Sequence, residues 1–227
     1  MKKLIFLLSV LFSINLNVES QDQVNETFVE IFVNVTDFNN NVSIGDKVGF
    51  TSKKTNTEYS GISDEEGKFS IFVPRNDVYQ VTIKSFEGNS NYCAIQVPED
   101  KDAVSYSITV LFELPKSYIL KDINFDTGKS TLKPSSNETL DNLVELMKNK
   151  KTLEIELSGH TDDVGDEALN LELSDKRALV VKNYLVKNGI ESNRIKSVGY
   201  GENQPIASNS DELGRSLNRR TEVKILE

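Results

Sequence analysis

The sequence predicts two domains of different class: an all-β sandwich of about seven strands, then an α+β (α/β-layered) domain in the order βαβαβ(α)β. Three observations lead there. From Phe28 to Leu114 apolar residues alternate or form short runs, and turn residues interrupt them about every eight to twelve positions. Beyond Pro115, alternating segments are interleaved with apolar residues at helical spacing. Charge shifts at the same place: residues 21–115 carry 15 acidic and 7 basic side chains, whereas residues 116–227 carry 19 and 17. The boundary is therefore expected near Pro115, giving segments 1–20, 21–115 and 116–227.

The first segment pairs Lys2 and Lys3 with an apolar run, Leu4 to Phe12, and a polar slide to Val18-Glu19-Ser20. This pattern reads as a secretory signal peptide cleaved after Ser20. A retained anchor would need about 20 apolar residues, and this run is too short. Cys93 is the only cysteine, so it excludes an intrachain disulfide and a lipidated cysteine near the cut.

In the sandwich, Val29, Ile31, Val33 and Val35 alternate, as do Phe69, Ile71 and Val73, then Tyr79, Val81 and Ile83, and finally Tyr106, Ile108, Val110 and Phe112. Asn39-Asn40-Asn41, Gly45-Asp46, Asp64-Glu65-Glu66-Gly67, Arg75-Asn76-Asp77 and Gly88-Asn89 supply the turns. Asp64-Glu65-Glu66 reads as a solvated turn, since the alternating oxygen ligands of a calcium loop are missing. Cys93, in an apolar strand, reads as a small buried hydrophobe.

In the second domain Ile119 to Phe125 reads as a strand. A helix follows, carrying Leu140, Leu143, Val144 and Met147, with Pro134 and a Ser135/Glu138 capping box at its start. Leu153, Ile155 and Leu157 alternate as the next strand. Ser174 is expected to cap a second helix that presents Ala178, Val181 and Leu185 on one face and ends at Asn188-Gly189. A strand at Ile195–Val198, a short helix at Asp211–Leu217 and a strand at Glu222–Leu226 complete the order.

Composition narrows the chemistry. The 227 residues include 35 acidic and 26 basic side chains, a net charge of -9, which argues against a nucleic-acid partner. One histidine cannot build a multi-histidine metal site, and no nucleophile elbow or cysteine–histidine pair is present. Neither a cofactor nor a metal is expected.

Candidate site residues lie in Gly159-His160-Thr161-Asp162-Asp163-Val164-Gly165 and in Asn170, Leu173-Ser174 and Arg177-Ala178. A carboxylate and a guanidinium on one surface suit a zwitterion, the acid taking an ammonium and the arginine fork a carboxylate. Arg177 stands three residues after the expected cap, where a glutamate would complete a capping box, and this overridden preference hints at a ligand. The competing reading is a plain surface ion pair between Asp162 and Arg177, worth about 0–1 kcal/mol. His160 reads as a structural hydrogen-bonding residue.

Taken together with Tyr184-Leu185, Gly189-Ile190, Arg194, Gly199-Tyr200-Gly201, Pro205, Asn209, Arg215 and Asn218-Arg219-Arg220, these residues closely resemble the OmpA-like peptidoglycan-binding domain family across residues 116–227. The resemblance implies a periplasmic module that grips the diaminopimelate residue of the wall peptide without cutting it. It implies that Asp162 takes the ammonium, that Arg177 takes a carboxylate, and that Asn170 shapes the site beside Thr161. Phe125 and Asp126 match the family's strand-end element, with Phe125 at the ligand. Arg215, Arg219 and Arg220 are read as mainly structural, with Arg215 a candidate for the cleft wall. Gly45-Asp46-Lys47-Val48, the Gly61–Ile71 hairpin and Tyr79-Gln80-Val81-Thr82-Ile83 resemble the carboxypeptidase regulatory-like sandwich, which implies a spacer or contact module.

The expected function is that of an exported, non-catalytic envelope protein in the periplasm, at most peripheral to the outer membrane. It would bind peptidoglycan and link it to an envelope protein partner of the sandwich. Two alternatives stand below it: an anchoring subunit of a secretion or motility machine, and a wall hydrolase using a carboxylate pair such as Asp162 and Asp163.

Overall fold

The computed structural model describes residues 27–226 except 101, 122 and 126–128. The expected signal peptide, its cleavage position and Asp126 lie outside the described residues. The chain forms two compact units, one within residues 27–83 and 89–113, the other of 84–88 and 114–226.

The first unit holds β1 (Phe28–Thr36), β2 (Lys47–Ser52), β3 (Glu58–Ile62), β4 (Lys68–Pro74), all but the hairpin ends, residues 84–88, of β5 (Asp77–Ser85) and β6 (Gly88–Val97), and β7 (Ser105–Leu111). They form two sheets, ordered β4-β1-β7 and β3-β2-β5-β6. Strand β1 runs antiparallel to β4 and parallel to β7, with Val33 opposite both Phe69 and Ile108. The period-two pattern has its expected effect. Val29, Ile31, Val33 and Val35 share a buried core with Val48, Phe50, Val81 and Ile83 of the other sheet. Each such side chain contributes about 1.5–3 kcal/mol by leaving water. Tyr79 is fully buried, and its hydroxyl satisfies itself by donating to the Pro74 carbonyl at 2.8 Å. Asp64 organises the acidic turn by accepting from the Glu66 and Lys68 backbone N–H groups, as a solvated turn requires. Cys93 is only half-buried against this core, because its strand β6 lies at the sheet's edge; burial raises its thiol pKa.

The second unit holds β8 (Ser117–Ile119), α1 (Asn137–Asn149), β9 (Ile155–Gly159), α2 (Glu167–Lys187), β10 (Ile195–Gly199), α3 (Glu212–Asn218) and β11 (Thr221–Ile225). Sheet order is β10-β9-β11-β8, with β9 parallel to β10 and antiparallel to β11. Leu140, Leu143, Leu146 and Met147 of α1 and Ala178, Val181 and Leu185 of α2 are buried, as are Ile155 and Leu157 of β9.

Three expectations need correction. The first strand stops at Ile119, and Phe125 makes only an isolated bridge to Leu132. The Asn124 backbone is engaged elsewhere, donating to the Ser136 hydroxyl and accepting from the Lys133 N–H, both at 2.9 Å. The Ser135/Glu138 capping box does not form. A 3-10 turn, Pro134–Ser136, precedes α1, and the α1 N-cap Ser136 spends its hydroxyl on Asn124. Ser174 is not a cap either, since α2 begins at Glu167 and is capped by Asp166, whose carboxylate accepts from Leu169 N–H at 3.1 Å. The inward face of the first two turns carries Asn170 and Ser174, so hydrophobic periodicity fails there although the helix continues.

Gly159 and Gly199 lie side by side in β9 and β10. A Cβ on Gly159 would stand 2.3 Å from the Ser174 carbonyl oxygen, and one on Gly199 2.3 Å from the Asp175 nitrogen. Without them α2 could not settle against the sheet at Ser174. That contact sets the position of Asn170 one turn before and of Arg177 nearly one turn after.

Candidate ligand-binding site

The loop leaving β9 is held in place before it reaches the site. His160 N–H donates to the Arg220 carbonyl at 3.0 Å and Thr161 N–H to the Gly201 carbonyl at 2.9 Å. Asn170 reaches across from α2 and donates through Nδ2 to the Asp162 and Val164 carbonyls, each at 3.3 Å, and to Glu202 Oε2 at 2.7 Å. The loop, the first half of α2, residues around Phe125 and Lys129, and α3 with Arg219 enclose a solvent-open cavity of about 1170 Å³. Phe125, Thr161, Asp162, Asn170 and Arg177 all line it.

Arg177 sits in mid-helix, two turns farther along α2 than a first-turn residue. The hint drawn from an overridden capping box therefore loses its basis. Its guanidinium lies 4.9 Å from the centre of the Phe125 ring, a cation–π contact, and its Nε donates to the Lys129 carbonyl at 3.1 Å. Among the described residues its Nη atoms make no hydrogen bond, leaving the fork for another acceptor. Burial lowers the Arg177 pKa, Asp162 opposes this, and the neighbouring Arg219 adds to the lowering.

Asp162 is buried and does not pair with Arg177. Its Oδ2 accepts from Arg219 Nη1 at 2.5 Å and its Oδ1 from the Val164 N–H at 3.2 Å. The competing reading, a plain surface pair of Asp162 with Arg177, is not what forms; Asp162 pairs instead with a residue 57 positions away. Arg219 also donates through Nη2 to Glu212 Oε1 at 2.6 Å, while Glu212 Oε2 accepts from Arg215 Nε at 3.1 Å. Hydrogen bonds to Asp162 and then Glu212 raise the Arg219 pKa, and those from Arg219 and Arg215 lower that of Glu212. Thr161 Oγ1 is buried without a hydrogen-bond partner among the described residues.

Arg219, Glu212 and Lys129 are site residues that sequence reasoning missed. The Asn-Arg-Arg run was visible but read as structural, which holds for Arg220: its Nε bonds Glu222 at 2.6 Å and its Nη2 the Gln204 carbonyl. His160 is buried, stacks on Tyr200 at 5.4 Å, and has a pKa lowered to about 4 by burial and then by Arg220. Among the described residues no group of three or more His, Cys, Asp or Glu side chains is placed to hold a metal ion. Nor is any described helix long and apolar enough to cross a membrane.

Residues 124–219 match the OmpA family. The chain is 44% identical over 104 residues to outer membrane porin F of Pseudomonas fluorescens, covering 46% of this chain and 32% of that protein. It is 45% identical over 105 residues to outer membrane protein A of Bordetella avium, covering 46% of this chain and 54% of that one. A peptidoglycan-binding protein, ArfA of Mycobacterium bovis, is 36% identical over 103 residues, covering 45% of this chain and 32% of that one. The chain thus spans between about a third and a half of the length of these relatives. The cavity-bearing unit of this two-unit chain contains an OmpA family domain, at residues 124–219.

Proposed function

We propose that this is an exported, non-catalytic cell-envelope protein whose residues 116–227 bind peptidoglycan through a diaminopimelate residue, and whose residues 21–115 contact a separate envelope partner. In this reading residues 1–20 are removed on export and the mature chain resides in the periplasm, at most peripheral to the outer membrane. The observation that carries the proposal is the Arg177 fork, held by Phe125 and the Lys129 carbonyl with both Nη atoms unused among the described residues, in the cavity that Asp162 also lines. Such a pair recognises a zwitterionic amino-acid head: the fork takes the carboxylate by two parallel hydrogen bonds and Asp162 the ammonium. Asn170 positions Asp162 by holding its carbonyl, and Thr161 Oγ1 offers a further polar contact. A named peptidoglycan-binding relative at 36% identity supports the choice of ligand.

The test is co-sedimentation of residues 21–227 with diaminopimelate-type sacculi. It is run beside Asp162→Ala and Arg177→Lys and with free diaminopimelate as competitor. We expect loss of about one to two decades in affinity for Asp162→Ala, the value of a charge-assisted contact of about 1.5–3 kcal/mol. Arg177→Lys should also weaken binding, because a point charge cannot replace the fork. Wild-type protein that stays in the supernatant would refute the proposal, and release of soluble wall fragments would place the chain among hydrolases.

A further inference from the structure

We infer that Arg219 is a specificity-determining residue that competes, from within the chain, for the Asp162 oxygen which a ligand ammonium needs. This rests on the zwitterion reading of the site. Asp162 offers two oxygens: Oδ1 is engaged by the Val164 N–H and Oδ2 by Arg219 Nη1. Each oxygen keeps a further lone pair, but an incoming ammonium meets the like charge of the Arg219 guanidinium at Oδ2 and must displace it to take the carboxylate fully. Arg219 can yield it without being stranded, because its Nη2 is held independently by Glu212 and its side chain is 38% exposed. Glu212 is steadied in turn by Arg215, so Asp162, Arg219, Glu212 and Arg215 form a row of alternating charge along one wall of the cavity.

Two consequences separate this arrangement from one in which Arg219 merely braces the fold. A bare amine gives back about fivefold of what it gains at Asp162, because it displaces a partly exposed ion pair. A ligand that also brings a carboxylate to Arg177 makes two charge-assisted contacts while breaking one, so the competitor lowers all amine binding and leaves ligands that also reach Arg177 as those held tightly. Glu212, which draws Arg219 away from Asp162, assists the exchange.

The experiment is a titration of the full mature chain with free diaminopimelate and, separately, with cadaverine, which has both amines and no carboxylate. Wild type, Arg219→Gln, Glu212→Gln and Asp162→Ala are compared, with thermal melting as a check on folding. Arg219→Gln should bind both probes about fivefold tighter, the scale of a partly exposed ion pair, and so bring cadaverine from weak toward measurable binding while its ratio to diaminopimelate stays the same. Glu212→Gln, at a 68% exposed position that folding should tolerate, should bind about two- to fivefold more weakly. If Asp162→Ala abolishes binding but Arg219→Gln also weakens it, or if the two glutamine variants shift affinity in the same direction, the competitor role is overturned and the zwitterion reading survives. If wild type and Asp162→Ala bind alike, or neither binds, the reading fails and this inference falls with it.

Discussion

His160 opens a pH window that can be read without interference, because it is the sole histidine of the chain. Its ring is 1% exposed and stacked on Tyr200, and among the described residues neither ring nitrogen has a hydrogen-bond partner. Burial first, then the Arg220 guanidinium, lowers its pKa to about 4 against the opposing pull of Glu222. In the unfolded chain the imidazole protonates near pH 6.5. The unfolded state then binds more protons than the native state between the two values, so acid favours unfolding there. The contribution is complete above about pH 6.5, declines as pH falls through the window, and is exhausted below about pH 4. A gap of roughly 2.5 units at about 1.4 kcal/mol per unit corresponds to about 3 kcal/mol. Proton NMR of the imidazole Cε1–H should show a native midpoint near pH 4. Urea unfolding at a series of pH values should show wild type losing about 3 kcal/mol more than His160→Phe between pH 7 and 4. Phenylalanine retains the stack, breaks no hydrogen bond and does not titrate, while carboxylates such as Glu156 contribute equally to both proteins and cancel. A native midpoint near 6.5, or parallel pH profiles for the two proteins, would refute the reasoning.

Further outcomes follow from the same geometry. Arg194 donates to the Met147, Lys150 and Leu153 carbonyls at 2.7–3.1 Å around the end of α1, so Arg194→Ala should cost about 2–3 kcal/mol in urea unfolding; a loss under about 0.5 kcal/mol would show that those carbonyls do not depend on it. Gly159→Ala would place a methyl group against the Ser174 carbonyl, displacing α2 or β9. It should cost about 1–3 kcal/mol and weaken diaminopimelate binding through Asn170 and Arg177, and unchanged melting together with unchanged titration would contradict the close-approach argument.

The sequence by itself determined the elements whose burial follows one simple period. Val29 to Val35 and Tyr79 to Ile83 are buried in the sandwich core on alternate residues, and Leu140 to Met147 are buried in the second unit at helical spacing. Four of the five candidate residues, Thr161, Asp162, Asn170 and Arg177, were also legible in one strand–loop–helix stretch, whereas Phe125 was implied only by the family resemblance. Where polar groups occupied inward positions, periodicity no longer marked the element. Helix α2 was recognised only from Ser174 onward, and Ser136 was not expected to hold Asn124 in place of an ordinary cap. Which arginine meets Asp162 was decided by the tertiary structure alone. Sheet order β10-β9-β11-β8 sets β11 beside β9, with Thr221 opposite Gly159, and so brings Arg219 to the mouth of the loop that carries Asp162. That pairing depends on strand order across 57 residues, and no local propensity, cap or hydrophobic period encodes it.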